Sequence, residues 1–240
     1  MAIQVSKAAV YQGAIDLSGD MTGVTMTIDQ EAVDNTSLST ATTTRTFTPG
    51  LLSAGISAEG YLNTGDNEAL LYGATGAGNI ISVYPVSTAA DQIGYGLRGA
   101  RSQFVYRGQI GEMFRFTYDA FCTTAPLVRL NSMEGAVTKT ETGNGTAYEL
   151  GAVTAAQYVH CFLHVTVLSG TDTPTLTVKL QSSADGSTGW EDRISMTAKT
   201  AVGAEAKSLV GALTDAFWRI TWTISGTTPS FTFIAGAGIV

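Results

Sequence analysis

The sequence has 240 residues, which is enough for one large β domain or two ordinary domains. Charged residues make up only 14% of it, against about 25% in typical globular domains, and the formal net charge is -7. This net charge argues against tight binding of nucleic acid, which requires clustered Lys and Arg. A surface with few charged residues lacks the electrostatic repulsion that keeps protein molecules apart. The composition therefore predicts a subunit of an assembly.

The sequence shows no pattern of a targeting signal, and its two cysteines are not expected to pair, so a reducing compartment is predicted. The N-terminal stretch "MAIQVSKAAVYQG" lacks a basic region followed by a long apolar one, and the sequence contains no apolar run of about 18 residues. We therefore expect no signal peptide, no membrane partner and assembly in a cytoplasm. Cys122 and Cys161 are expected to be buried small hydrophobes without a disulfide.

Alternation of apolar and polar residues dominates the chain and predicts half-buried β-strands. The hairpin "AVYQGAIDLSG" comes first, followed by a strand in "GVTMTID". The clearest alternating sets are Val24, Met26 and Ile28; Phe114, Phe116 and Tyr118; and Trp218, Ile220, Trp222 and Ile224. The last set favours a core position for Trp218 and Trp222.

A long neutral loop is predicted between the strand ending near Asp29 and the strand resuming near Arg45. It covers residues 33–44 and is rich in hydroxyl side chains. Its candidate functional residues are Val33, Asp34, Asn35, Thr36, Ser37, Leu38, Ser39, Thr40, Thr42, Thr43 and Thr44.

One short helix is predicted at residues 63–73, "NTGDNEALLYG", where Thr64 or Asp66 can cap the first turn and Gly73 can end the last. A weaker helical option at residues 201–209 contains Gly203. Further along, Arg98, Arg101, Arg107 and Arg115 fall in one region, and we expect them to pair with carboxylates of an oligomer.

The composition changes at residues 134–148, "EGAVTKTETGNGTAY", which predicts a linker or an exposed hairpin tip. The predicted domains are residues 1–137 and 138–240. In the second, "HVTVLSGTDTPTLTV" and "ITWTISGTTPSFTF" echo each other and are interpreted as two hairpins of an antiparallel β-sandwich, with a third turn at Asp185-Gly186.

No catalytic, cofactor or metal site is predicted. His160 and His164 would lie about 13 Å apart on a strand, which is too far for one zinc ion, so both are interpreted as structural. The glycine run "GATGAGN" lacks the order of a phosphate-binding loop. Trp190, after the Asp185-Gly186 turn, is a candidate surface platform for a sugar.

The first half, through "RTFTPGLLSAGISAEGYLN" and "YRGQIGEMFRFTYDAF", resembles the major tail tube proteins of long-tailed, non-contractile bacteriophages. The resemblance covers about residues 1–135 and depends on the order of elements. It implies an N-terminal tail-tube β-sandwich or barrel with one short helix. The second half is similar to the immunoglobulin-like or carbohydrate-module-like sandwiches that many phage virion proteins carry at a C-terminus, which implies an all-β chain with a C-terminal antiparallel β-sandwich as decoration.

The resemblance also implies a function without enzymatic activity. Six copies would form a ring, rings would stack into a virion tail tube, and genomic DNA would pass through the lumen without tight binding. Other partners would be the tape measure, terminator and distal tail proteins. The neutral loop would reach the neighbouring ring, since a segment that is buried on assembly should carry little unpaired charge. A capsid decoration protein and a carbohydrate-binding adhesin remain alternatives.

Overall fold

The computed structural model describes residues 8–36, 45–62, 77–123 and 127–240. These residues form an all-β fold of fourteen strands in which every strand pairing is antiparallel, with no helix among them. The helix predicted at residues 63–73 lies outside the described residues. Within the described ranges, no helix is long and apolar enough to cross a membrane.

Fourteen strands follow one another along the described chain. They are β1 (Ala9–Gln12), β2 (Ile15–Asp16), β3 (Met21–Asp34), β4 (Phe47–Tyr61), β5 (Ala77–Tyr84), β6 (Ile93–Arg107), β7 (Arg115–Cys122), β8 (Val128–Lys139), β9 (Gly143–Asn144), β10 (Tyr148–Glu149), β11 (Tyr158–Ser183), β12 (Glu191–Ser195), β13 (Gly203–Val210) and β14 (Phe217–Ile239).

The N-terminal half folds around one apolar cluster. The β1–β2 hairpin forms as predicted, with Gly13 in its turn at φ 58°. The β1, β5 and β6 strands lie side by side, and β6 continues into the β7, β4 and β3 ladder. Their inward side chains share one core that includes Val10, Ile56, Leu97 and Phe116. Alternation therefore builds a sandwich, because alternate residues of these strands face this cluster where the strands border it.

The C-terminal half is built on a long two-stranded ribbon, which corrects the prediction of two hairpins. The β11 and β14 strands pair along almost their whole length, from Val159↔Ile239 to Ser183↔Phe217. The echoing Ser-Gly-Thr segments lie side by side within the ribbon and do not reverse the chain. Register shifts at Ser169/Thr171 and Thr171/Thr175 mark the place where the ribbon changes direction.

The direction change brings the two halves of each strand into one core. Trp222 and Phe233 lie on opposite sides of the Ser-Gly-Thr segment of β14, yet their ring centroids are 5.8 Å apart. Trp218 and Trp222 are buried at 0% and 5% exposure, as the alternation predicted. The ribbon therefore packs against itself to form the C-terminal sandwich.

Residues 134–148 are mostly not a linker or a hairpin tip, contrary to the prediction. The β8 strand continues to Lys139 and pairs with β14, and the short β9 and β10 strands pair further along β14. The Lys139 ammonium lies 2.8 Å from Glu134 Oε1 and 4.6 Å from the Trp222 ring centroid. The polar composition of this segment wrongly suggested a loop. The segment instead forms three strands, with breaks between them, that pair along β14. The division into domains 1–137 and 138–240 remains a prediction.

Three further local predictions have clear outcomes. Residues 201–209, the weaker helical option, lie largely in β13, which pairs with β11. Cys122 and Cys161 are both free thiols, but only Cys161 is buried as predicted, whereas Cys122 is half-buried. Burial raises the pKa of Cys161 to about 12. The Asp185-Gly186 turn also forms, with Asp185 Oδ1 accepting the N–H bonds of Ser187 and Thr188 at 2.8 Å each.

Candidate assembly surface

The distal part of the β3–β4 hairpin extends beyond the N-terminal core. We define it as the arm, residues 28–34 and 47–53. Among the residues that the structure describes, β4 pairs only with β3 in this region, because its pairing with β7 begins at Gly55↔Phe121. This arrangement also explains why Pro49 is tolerated, since the side of a strand with no described neighbour does not require its N–H.

The core-facing stripe of the hairpin continues onto the arm, where it is exposed. Ala54 and Ile56 are 5% and 2% exposed. Ile28 and Leu52 lie on the same face by the alternation and register of the hairpin, but they are 57% and 47% exposed. The apolar pattern therefore continues past the point where this chain can bury it.

The arm also carries acidic groups and additional exposed apolar side chains. Asp29, Glu31 and Asp34 are all exposed on β3, and the Asp34 carboxylate lies 3.8 Å from the guanidinium of Arg45. Leu51 is 82% exposed and Phe47 is 55% exposed. The arm therefore combines apolar and negative surface.

Hydrogen bonds fix the first residues of the predicted loop, residues 33–36, which the structure describes. Val33 and Asp34 belong to β3, so this strand extends further than the sequence suggested. Asn35 Nδ2 donates to Thr48 Oγ1 at 2.6 Å, and the Thr36 N–H donates to Asp34 Oδ1 at 2.9 Å. Hydrogen bonds from Thr36 lower the pKa of Asp34. The remaining predicted loop residues, 37–44, lie outside the described residues.

A second exposed apolar cluster lies in the connection between β6 and β7, residues 108–114. Ile110 is fully exposed, Met113 is 66% exposed and Phe114 is 46% exposed. The Phe114 ring stacks on Tyr106 with a centroid distance of 5.6 Å and an interplanar angle of 10°. This cluster was missed by the sequence analysis, although Phe114 was part of an alternating set whose other members are buried.

Two of the four noted arginines flank this connection on the final rung of the β6–β7 ladder. Arg107 and Arg115 are directly opposite each other, and both are exposed. Like charges opposite each other destabilise a ladder unless a counter-charge approaches. The Arg115 guanidinium lies 5.1 Å from the Tyr61 ring centroid and donates to Tyr61 Oη at 3.3 Å, which holds it at the surface.

The arm and residues 108–114 lie at opposite ends of one sheet. Pairing of β4 with β7 places Tyr61 beside Arg115, and the Leu62 N–H donates to the Phe114 carbonyl at 2.8 Å. The arm begins at the other end of β4. Leu52 and Tyr61 are nine residues apart, which corresponds to about 30 Å along a strand.

The two histidines are buried, and hydrogen bonds give His164 the structural role predicted for it. His160 and His164 lie on the same face of β11 and are 7% and 0% exposed. His164 Nδ1 lies 2.8 Å from the Gly13 carbonyl oxygen, and its Nε2 lies 2.8 Å from Ser82 Oγ. No group of three metal-ligating side chains lies together among the described residues.

Trp190, the candidate sugar platform, is half-buried. Its indole N–H donates to the Ser187 carbonyl at 3.2 Å, and the Arg219 guanidinium lies 4.1 Å from its ring centroid. One ring face is therefore in contact with the chain's own arginine. A sugar-binding role for this residue remains a prediction.

An open cleft of about 640 Å³ lies beside the β1–β2 hairpin. Its lining includes Tyr11, Asp16, Ser18, Thr88 and Ala136. The Asp16 carboxylate already accepts a hydrogen bond from the Ser18 N–H at 3.0 Å, and burial raises the pKa of Tyr11. The Asp16 carboxylate therefore stabilises the local structure, and the groups that line the cleft suggest no specific reaction.

Comparisons of the sequence with known proteins assign no family to the chain, and comparisons of the structure find distant similarities to solved structures. No protein-family model matches the chain, and no curated protein matches it. A chain in the virion of a native gene transfer agent particle is 17% identical, with a TM-score of 0.43, and the match covers 53% of this chain and 98% of that one. The SPP1 Dit protein, a paradigm of the hub adsorption apparatus in phages that infect Gram-positive bacteria, is 10% identical, with a TM-score of 0.36, and the match covers 97% of this chain and 99% of that one.

The cap of the anti-feeding prophage is a third similar structure. It is 10% identical, with a TM-score of 0.40, and the match covers 55% of this chain and 95% of that one. At these TM-scores, the similarities assign neither a family nor a function to this chain.

Proposed function

We propose that this chain is a structural subunit of a phage tail tube. Six copies form a ring, rings stack around a lumen that conducts DNA, and the C-terminal sandwich decorates the outside. The protein acts by self-assembly and performs no chemical reaction.

The observation that carries the proposal is the exposure of a core-like stripe on the arm. Ile28 and Leu52 continue the row that Ala54 and Ile56 bury. An apolar row of this kind is energetically favourable only when a second surface covers it. The low charge content supports the same conclusion, because it reduces repulsion between copies.

The function is tested by assembly of the purified full chain. We expect hollow tubes in negative-stain electron micrographs and rapidly sedimenting polymer as the protein concentration is raised. The variant Ile28→Ser/Leu52→Ser should remain folded, because both side chains are about half exposed, and it should form no tubes.

A matched control is Val167→Ser, which also removes an exposed apolar side chain, at 51% exposure, from a strand of the other half. It should form tubes like the unmodified chain. An unmodified chain that stays monomeric at every concentration would contradict the proposed function. Normal tubes from the Ile28→Ser/Leu52→Ser variant would contradict the role of the arm.

A further inference from the structure

We infer that the arm of one subunit docks head to tail on the β6–β7 end of a second copy, residues 108–114 with Arg107 and Arg115. This inference rests on the proposed self-assembly and names the surface that receives the arm. The occupant is therefore a second copy of this chain.

The two surfaces are different and lie about 30 Å apart along the same strands. An interface between two different patches of identical subunits is heterologous, and it allows addition to continue along one direction. A docking contact between opposite ends of a sheet therefore extends the assembly along the strand axis.

The apolar parts of the two surfaces lie on the same face of the sheet. Phe114 continues the inward row of Phe116 and Tyr118, both of which are 2% exposed. Ile28 and Leu52 continue the inward row at the other end. A second copy displaced along the strands in the same orientation therefore brings these apolar rows together.

The charged parts match on the other face. Asp29 alternates with the inward Ile28, and Arg115 alternates with the inward Phe116, so both point outward. The same displacement brings Asp29 and the neighbouring Glu31 towards Arg115 and its opposite residue Arg107. Glu112, in the same connection, is exposed and contributes one opposing charge.

Docking of the acidic arm would relieve an electrostatic repulsion that exists within the single chain. Arg107 and Arg115 face each other with like charge on the last rung of their ladder. Carboxylates from an incoming arm neutralise this repulsion, so assembly removes an unfavourable interaction as well as covering apolar area.

Charge reversal on each surface tests this interface. The variants are Arg107→Glu/Arg115→Glu and Asp29→Lys/Glu31→Lys, both in the full chain. Each variant alone places like charges at the contact, so the protein concentration needed for polymer growth should rise about tenfold or more. The control Arg129→Glu changes an exposed arginine on β8, away from both ends, and should leave growth unchanged.

Mixing the two variants gives the decisive result. The lysine arm of one fits the glutamate end of the other, and the acidic arm fits the arginine end, so the mixture should form polymer in which the two variants alternate. Circular dichroism and thermal unfolding check that each variant is folded. Normal growth of either single variant, or no growth of the mixture from folded proteins, would overturn the inference. The proposed function would still stand if the unmodified chain forms tubes.

Discussion

At the residue scale, His164 links the two halves of the molecule. It belongs to β11 of the C-terminal half and contacts Gly13 and Ser82 of the N-terminal half. The Gly13 carbonyl can only accept, so Nδ1 carries the proton and Nε2 of the neutral ring accepts from the Ser82 hydroxyl. Burial lowers the pKa of His164 to about 4, and the Gly13 carbonyl and the Asp16 charge oppose this shift weakly.

The lowered pKa predicts a dependence of stability on pH. Below about pH 6.5 the unfolded chain protonates this histidine, whereas the folded chain does so only near pH 4. The contribution to the free energy of unfolding is therefore fully present above about pH 6.5 and falls by about 3 kcal/mol towards pH 4. His160, beside Arg98 and with a lowered pKa, changes stability in the same direction.

The variant His164→Gln isolates this contribution because Gln does not titrate. Urea unfolding at pH 7 and pH 4.5 should show a loss for the unmodified chain that exceeds the loss for the variant by about 2–3 kcal/mol. Carboxylates and His160 titrate in both proteins, so they cancel in the comparison. An equal loss in both would show that His164 does not set the acid sensitivity.

At the element scale, the β11–β14 ribbon depends on unusual backbone conformations at its change of direction. Gly170 and Gly226 have φ of 132° and 116°, and Asp172, Thr173 and Thr228 also have positive φ. A Cβ at Gly226 would lie 2.8 Å from Pro174 Cα. Glycine is therefore required at this position by both conformation and space.

The variant Gly226→Ala should lower the free energy of unfolding by about 1–3 kcal/mol, because alanine is strained at this φ and contacts Pro174 too closely. The control is Gly203→Ala in β13, where a Cβ meets nothing within 4 Å and φ is not positive. Urea unfolding of both variants makes the comparison. Equal stabilities would indicate that the ribbon can change direction without this glycine.

Local pattern predicted the strands of this ribbon but not their pairing. The alternation of Trp218, Ile220 and Trp222 indicates a buried face whatever the neighbouring strand is. Ser-Gly-Thr followed by Thr-Pro is typical of a turn, yet here its positive-φ residues redirect a strand that continues. The choice between reversal and continuation depends on contacts between residues about 50 apart in sequence, which no local signal contains.

The candidate surface was predictable only in part. The low charge of the chain predicted assembly, and the loop at residues 33–44 was expected to make the contact, although only its first residues belong to the arm. Exposure of Leu51, Leu52, Ile110 and Met113 could not be predicted, because an exposed leucine and a core leucine have the same local pattern. Their position becomes evident only when the β4–β7 register shows where the core ends.

At the scale of the whole molecule, net charge determines how strongly an assembled tube would bind DNA. The chain carries 13 basic and 20 acidic residues. In the proposed assembly Arg107 and Arg115 face carboxylates of the next copy, so they are not available to phosphates. A wall of this composition does not hold a polyanion.

Assembled tubes should therefore show no retention of double-stranded DNA in a gel-shift experiment. Salt of about 50 mM is appropriate because weak screening exaggerates any attraction. Tight retention by unmodified tubes would conflict with free passage of DNA through a lumen.

The central claim is that the exposed arm becomes buried when copies assemble, and hydrogen exchange of its backbone amides measures this directly. Residues 28–34 and 47–53 should exchange rapidly in the monomer, because a two-stranded hairpin that extends beyond the core opens easily, and slowly in the polymer. Residues 108–114 should gain protection in the same samples, whereas the β11–β14 ribbon should exchange alike in both states. Arm amides that exchange equally fast in monomer and polymer would contradict the account.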